Sequence, residues 1–105
     1  MDDCLFCRIA RGEIPASKVF EDDEIVAFHD INPARPVHIL VIPKRHITSL
    51  ATVSDADVPV LGRMLAQAKT LASENGSTDG FRVIINTGRV GGQEVQHLHA
   101  HIVGG

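Results

Sequence analysis

The sequence predicts an α+β domain with a mainly antiparallel five-stranded sheet, one short helix and one long helix. Three observations carry that expectation. Short apolar runs are separated by hairpin-length links, and only the segment from Ser54 to Gly76 keeps a helical period over several turns. The closing run His97-Leu98-His99-Ala100-His101-Ile102-Val103 alternates with the period of a strand. The resulting order of short helix, three strands, long helix and two strands lacks the repeated strand–helix alternation of a doubly wound fold.

The elements follow in turn. Leu5 to Ala10 is a short apolar stretch ended by Gly12, and Pro15 blocks its continuation, so one or two helical turns are expected. Lys18 to Glu21 and Ile25 to His29 read as two short strands joined by the acidic turn Asp22-Asp23-Glu24. Asn32 to Pro36 holds two prolines and must be a loop. His38 to Ile42 is apolar on both faces and ends at Pro43, as suits a strand inside a sheet, with His38 at its mouth. Val58, Leu61, Leu65, Ala68 and Ala72 fall at helical spacing, with Ser54 or Asp57 available as N-cap and Gly76 beyond the C-terminus. Pro59 fits only in the first turn, which favours Asp57. Phe81 to Asn86 is a further strand, and the glycine-rich loop Gly88 to Gly92 lets backbone approach a ligand closely.

Bulk properties narrow the function. A chain of 105 residues fits one domain, and at that size a partner subunit, a metal or a ligand would add needed stability. The formal charge of −3 and the absence of any basic run longer than Lys44-Arg45 argue against nucleic acid as a partner. The N-terminus opens with two acids and carries no long apolar stretch, so neither a signal peptide nor a membrane span is expected and a cytoplasmic location is. In a reducing compartment the Cys4-x-x-Cys7 pair points to metal binding or redox chemistry before a disulfide.

Three of the six histidines lie on alternate positions of one strand, facing one way while Leu98, Ala100 and Ile102 face the other. A merely solvated edge would be one explanation. A single metal held by all three would be another, but the outer two start about 13 Å apart along a strand, too far for one tetrahedral ion. Two neighbours could still share a metal. Phosphate chemistry is the third: an imidazole with a pKa of about 6.5 is largely neutral and nucleophilic at pH 7, and its neighbours can donate to phosphate oxygens. The Gly91-Gly92 backbone and the Gln93 amide, just before the strand, offer further donors.

The run His97-x-His99-x-His101 followed by Ile102-Val103 resembles the signature of the histidine triad superfamily. The stretches EIPASKVFEDDEIVAFHDINPARPVHILVIPKRHI and GGQEVQHLHAHIVGG extend the resemblance, to the nucleotide-binding branch of that family, over nearly the whole chain. It implies a HIT-like fold pairing into a ten-stranded sheet in a homodimer. It also implies hydrolysis of purine nucleoside 5′-phosphoramidates, AMP- or GMP-like, to NMP and amine through a nucleotidyl-histidine.

On this resemblance His99 is the nucleophile, with His97 beside it in the triad. His101 contacts the phosphate or serves the leaving group, and His38 relays protons. Asp30 receives the ribose hydroxyls, although an acid there also suits a cap of the loop before Pro33. Leu5, Phe6, Ile9, Ile14, Phe28 and Ile31 form the base pocket, of which Phe6, Ile9 and Phe28 would otherwise read as plain core. Val95 and His29 complete the nucleotide contacts, although His29, on the strand face opposite Phe28, would otherwise read as solvent-exposed, with Asn86, Gly92, Gln93 and Glu94 near the phosphate. Catalysis needs no cofactor, but some bacterial members hold a structural zinc at positions that correspond to Cys4, Cys7, His46 and His97. Two departures bear on the leaving group: many relatives continue past Gly104-Gly105 with a tail that often carries tryptophan, and Glu94 stands where some have serine. Rival expectations are hydrolysis of dinucleoside polyphosphates on the same triad, and a nucleotide- or zinc-binding interaction protein with little turnover.

Overall fold

The computed structural model describes residues 4–105; Met1, Asp2 and Asp3, with the acids noted at the N-terminus, lie outside the described residues. Helix α1 (Leu5–Ala10) is followed by strands β1 (Lys18–Glu21), β2 (Ile25–His29) and β3 (Val37–Pro43). Helix α2 (Val58–Glu74), β4 (Phe81–Ile84) and β5 (Ala100–Gly104) complete the chain. The five strands form one sheet in the order β1-β2-β3-β5-β4, antiparallel at each pairing. The α+β expectation therefore holds.

β3 is buried at all seven positions because both faces of the sheet are covered. On one face Ile39 and Val41, with Ile25, Ala27, Leu98, Ala100 and Ile102 beside them, pack against Met64, Ala68 and Leu71 of α2. On the other, Leu40 and Ile42 join Val26 and Phe28 beneath Phe6 and Ile9 of α1. The two helices are unequal, 17 residues against six. The short one leaves the end of its face near β5 and β4 open, and the clefts described below lie there. Among the described residues no helix is long and apolar enough to cross a membrane.

Several boundaries and contacts differ from expectation. The ladder of β5 begins only at Ala100, and β4 stops at Ile84 instead of Asn86. Leu98 donates its amide to the Ile47 carbonyl at 2.6 Å, so the 97–99 segment bonds to the stretch that follows β3. The apolar and histidine faces of that segment nevertheless alternate as expected, with Leu98 in the α2 core and His99 against Phe6.

Helix α2 buries Val60, Met64, Ala68, Leu71 and Ala72, whereas Val58 and Leu65 are 60% and 50% exposed. Two neighbouring stripes share the helical spacing, and periodicity alone does not say which one faces the sheet. Asp57 stands at the N-cap of α2 but does not cap it: its backbone is already helical. Its carboxylate accepts from the Ser54 amide at 2.9 Å and pairs with Arg45. Two unpredicted 3₁₀ turns, Leu50–Thr52 and Asp55–Asp57, lead into the helix.

The inward stripe is testable by substitution. Leu71→Ala, at a side chain 1% exposed, is expected to cost about 2–5 kcal/mol in urea unfolding. Leu65→Ala should cost about 1 kcal/mol or less. Equal losses would contradict the packing described.

Candidate active site

His99 and His101 stand side by side with ring centroids 5.0 Å apart, facing a cleft of about 170 Å³. Each is held in one orientation by hydrogen bonds that also settle where its proton lies. His99 Nδ1 lies 2.7 Å from the His97 carbonyl oxygen, which can only accept. The neutral ring is therefore protonated at Nδ1 and carries its lone pair on Nε2. The edge of Phe6, centroid 5.1 Å away, packs against the same ring.

A second chain of bonds orients His101. The Ala34 amide donates to His38 Nδ1 at 3.0 Å, so a neutral His38 carries its proton on Nε2. That nitrogen lies 2.9 Å from His101 Nδ1 and donates to it, which leaves the His101 proton on Nε2. The site thus presents an imidazole lone pair at His99 beside an imidazole N–H at His101. Asp30 Oδ2 lies 3.5 Å from His38 Nε2, while its Oδ1 accepts from the Asn32 amide at 2.8 Å and so also braces the loop. Burial pushes the His101 pKa down, and cationic forms of His99 and His38 would push it further; Asp30 and Glu94 oppose this.

His97 turns away from the cleft and lies fully buried. Its Nε2–H donates to the Pro43 carbonyl at 2.8 Å, leaving Nδ1 as the lone-pair nitrogen, 3.2 Å from Cys4 Sγ and 3.5 Å from Cys7 Sγ. His46 Nδ1 lies 3.2 Å from Cys7 Sγ, and the ligand atoms of Cys4, Cys7, His46 and His97 all lie within 4.8 Å of one another. Burial holds the His97 pKa down at about 4, so its imidazole is neutral, the form that ligates metals. Burial, reinforced by Cys4, pushes the Cys7 thiol up to about 11. Two thiols and two imidazoles converging at these distances match a tetrahedral Cys₂His₂ donor set for zinc.

The expected phosphate donors need correction. Both hydrogens of the Gln93 amide are committed within the protein, to the carbonyls of Thr48 at 2.7 Å and Val95 at 3.0 Å, and its Oε1 accepts from the Gly88 amide at 2.9 Å. The backbone amides of Gly91, Gly92 and Gln93 donate to Thr87, Arg89 and Gly88. Gln93 and the two glycines shape the loop instead of donating into the cleft. The amides of Glu94 and Val95, which have no acceptor among the described residues, are the donors this turn leaves available.

The remaining residues divide. Phe6, Asp30, Asn86, Gly92, Glu94 and Val95 line the cleft with the two histidines, joined by Leu40, which sequence reasoning missed. Ile9, Phe28 and Ile14 pack with Phe6 in the cluster behind it. Leu5 lies beside Cys4 and His46, Ile31 is 92% exposed, and His29 is exposed. Sequence reasoning also missed Ala34, Pro43 and Thr48. All three act through backbone atoms, so no side chain could have signalled them.

Comparisons with known proteins agree with this geometry. A family model described as "Scavenger mRNA decapping enzyme C-term binding" matches residues 3–105. Protein HitA of Neisseria gonorrhoeae is 55% identical over 104 residues, covering 99% of this chain and 97% of its own. A HIT family hydrolase from Legionella pneumophila superposes with a TM-score of 0.94 at 50% identity, over 98% of this chain and 93% of that one. The chain belongs to the histidine triad superfamily. A zinc-bound histidine triad family protein from Mycobacterium smegmatis is also similar, with a TM-score of 0.83 at 33% identity, over 98% of this chain and 75% of the other. Hydrolase chemistry of the histidine triad class accords with the paired His99 and His101.

A pH titration of the imidazole resonances is expected to place the His101 midpoint below the free-histidine value of about 6.5. His101 would then be neutral at pH 7 and become cationic only in more acidic solution. A midpoint at or above 6.5 would contradict the burial argument.

Proposed function

We propose that this chain hydrolyses purine nucleoside 5′-phosphoramidates to the nucleoside monophosphate and an amine. The observation that carries the reading is the opposed polarity of the two cleft histidines, a lone pair at His99 Nε2 and an N–H at His101 Nε2. His99 attacks the α-phosphorus, the P–N bond breaks, and the amine leaves with the proton from His101 Nε2. Water then attacks the nucleotidyl-histidine and returns its proton to His101, releasing NMP and regenerating His99. His38 Nε2–H, donating to His101 Nδ1, holds the His101 tautomer and offsets the negative charge left on that ring until the attacking water returns the proton. The Glu94 and Val95 amides stabilise the developing charge on phosphate oxygens. Phe6 and Leu40, which line the cleft, give the base an apolar wall, and Asp30 on the same cleft receives the ribose hydroxyls.

Turnover of adenosine 5′-phosphoramidate, followed as AMP release at neutral pH, tests this. His99→Ala is expected to lose about two to three orders of magnitude in kcat/KM. A folded wild-type protein that binds AMP yet releases none from the phosphoramidate would overturn the reading.

The Cys4, Cys7, His46 and His97 cluster is proposed to hold a structural zinc, whose binding would tie α1 to the end of β3 and to the segment that carries His99. Elemental analysis should find about one zinc per chain. Cys7→Ser should carry little and unfold at a lower temperature. Purified wild-type protein free of zinc, and no more stable when zinc is added, would refute the assignment.

A homodimer belongs to the same proposal. β4 is an edge strand, and Phe81 and Val83 on it are 39% and 38% exposed, as suits pairing with a second β4 into a ten-stranded sheet. Two free cysteines fit a reducing, cytoplasmic setting.

A further inference from the structure

On the far side of His101 from the nucleoside wall lies a second cleft of about 190 Å³, sharing His101 and Asn86 with the first. Arg35 and Arg82 line it, together with His38, and among the described residues no carboxylate does. The same two arginines also line an outer cleft of about 530 Å³, formed by the 76–80 turn and the chain's last residues, where the acid is Asp79. The two clefts therefore share Arg35, Arg82 and Val103, and the inner one reaches His101.

Four other arginines of this net-acidic chain face acids, and Arg89, which has no carboxylate partner among the described residues, lines neither of these clefts. Arg8 and Arg11 lie against Glu13, Arg45 pairs with Asp57, and Arg63 with Asp22 and Glu24. Arg35 and Arg82 have no carboxylate partner among the described residues, although they share both clefts. Two guanidiniums on one wall repel each other unless an anion lies between them, and their planar donor forks match phosphate, sulfate or carboxylate oxygens. Their supports are orderly: Arg35 sits between Pro33 and Pro36, and Arg82 lies opposite Val103 in the β4–β5 ladder.

The direction of the reaction gives this wall a role. Phe6, Leu40 and Asp30 occupy the nucleoside side, so a group that leaves the α-phosphorus while taking a proton from His101 departs into the arginine-lined cleft. We propose that Arg35 and Arg82 form an anion subsite beyond His101, which selects substrates whose leaving group carries its own negative charge. The inference rests on the reading of His99 and His101 as a nucleotidyl-transfer pair, whichever bond to phosphorus is cut. Glu94 does not oppose it, because it lines the first cleft and not the second.

Equilibrium binding tests the subsite without requiring turnover. AMP is compared with α,β-methylene-ADP, whose second phosphate cannot be cleaved and takes the place of a charged leaving group. The wild-type protein is expected to bind the methylene analogue about fivefold or more tightly than AMP. The double variant Arg35→Gln, Arg82→Gln should bring the two affinities within about twofold. Arg35→Lys, Arg82→Lys keeps the charge and should retain most of the preference, which separates lost charge from lost fold. AMP binding with no preference in the wild type, or a preference that survives both glutamines, would overturn the subsite alone. Failure of the wild type to bind either nucleotide would overturn the nucleotide reading and the subsite with it.

Discussion

The unequal cover of the sheet is the constraint on which the site depends. β3 is buried along its whole length, so each face needs apolar cover, and α2 with 17 residues supplies it fully on one side. On the other side a helix of six residues reaches only Val26, Phe28, Leu40 and Ile42 through Phe6 and Ile9. His38, His99 and His101 lie where that cover ends. They are buried enough to keep a defined geometry and open enough to meet a ligand.

Backbone groups then decide the chemistry of rings that are identical as side chains. A carbonyl can only accept and an amide N–H can only donate, so the His97 carbonyl and the Ala34 amide impose opposite polarities on His99 and on the His38–His101 pair. Burial supports this by disfavouring the cationic form of His101. His97 joins the two centres of the molecule. Its ring belongs to the cysteine cluster, and its carbonyl orients His99. Strain or loosening at the cluster would therefore reach His99 through a single residue.

Much of this was legible in the sequence, for reasons that can be named. Strands Lys18–Glu21 and Ile25–His29 were readable because turn residues bracket short apolar runs, and helix Leu5–Ala10 because Gly12 and Pro15 bound it. The face shared by His99 and His101 followed from the two-residue period. Other features were not legible. The stripe of α2 that faces inward depends on where Met64 and Leu71 meet the sheet, and the spacing of Val58, Leu61 and Leu65 looked equally suitable. Gln93 advertised a donor, but its amide is taken by carbonyls, one of them 45 residues away at Thr48. Asp57 looked like a cap because it precedes Pro59, yet Ser54 and Arg45 claim its carboxylate.

The sequence by itself determined the class of fold, the element order, and which residues could carry chemistry, because periodicity and residue type are local properties. Only the tertiary structure decided that the ligand atoms of Cys4, Cys7, His46 and His97, which the family resemblance named as a set, converge, and that His38 reaches His101 across the β3–β5 ladder. It alone placed Arg35 and Arg82 on one wall beyond that pair. The physical reason is the same in each case: proton position, ligand geometry and electrostatic field depend on distances between groups far apart in the chain, which strand pairing sets and local pattern does not.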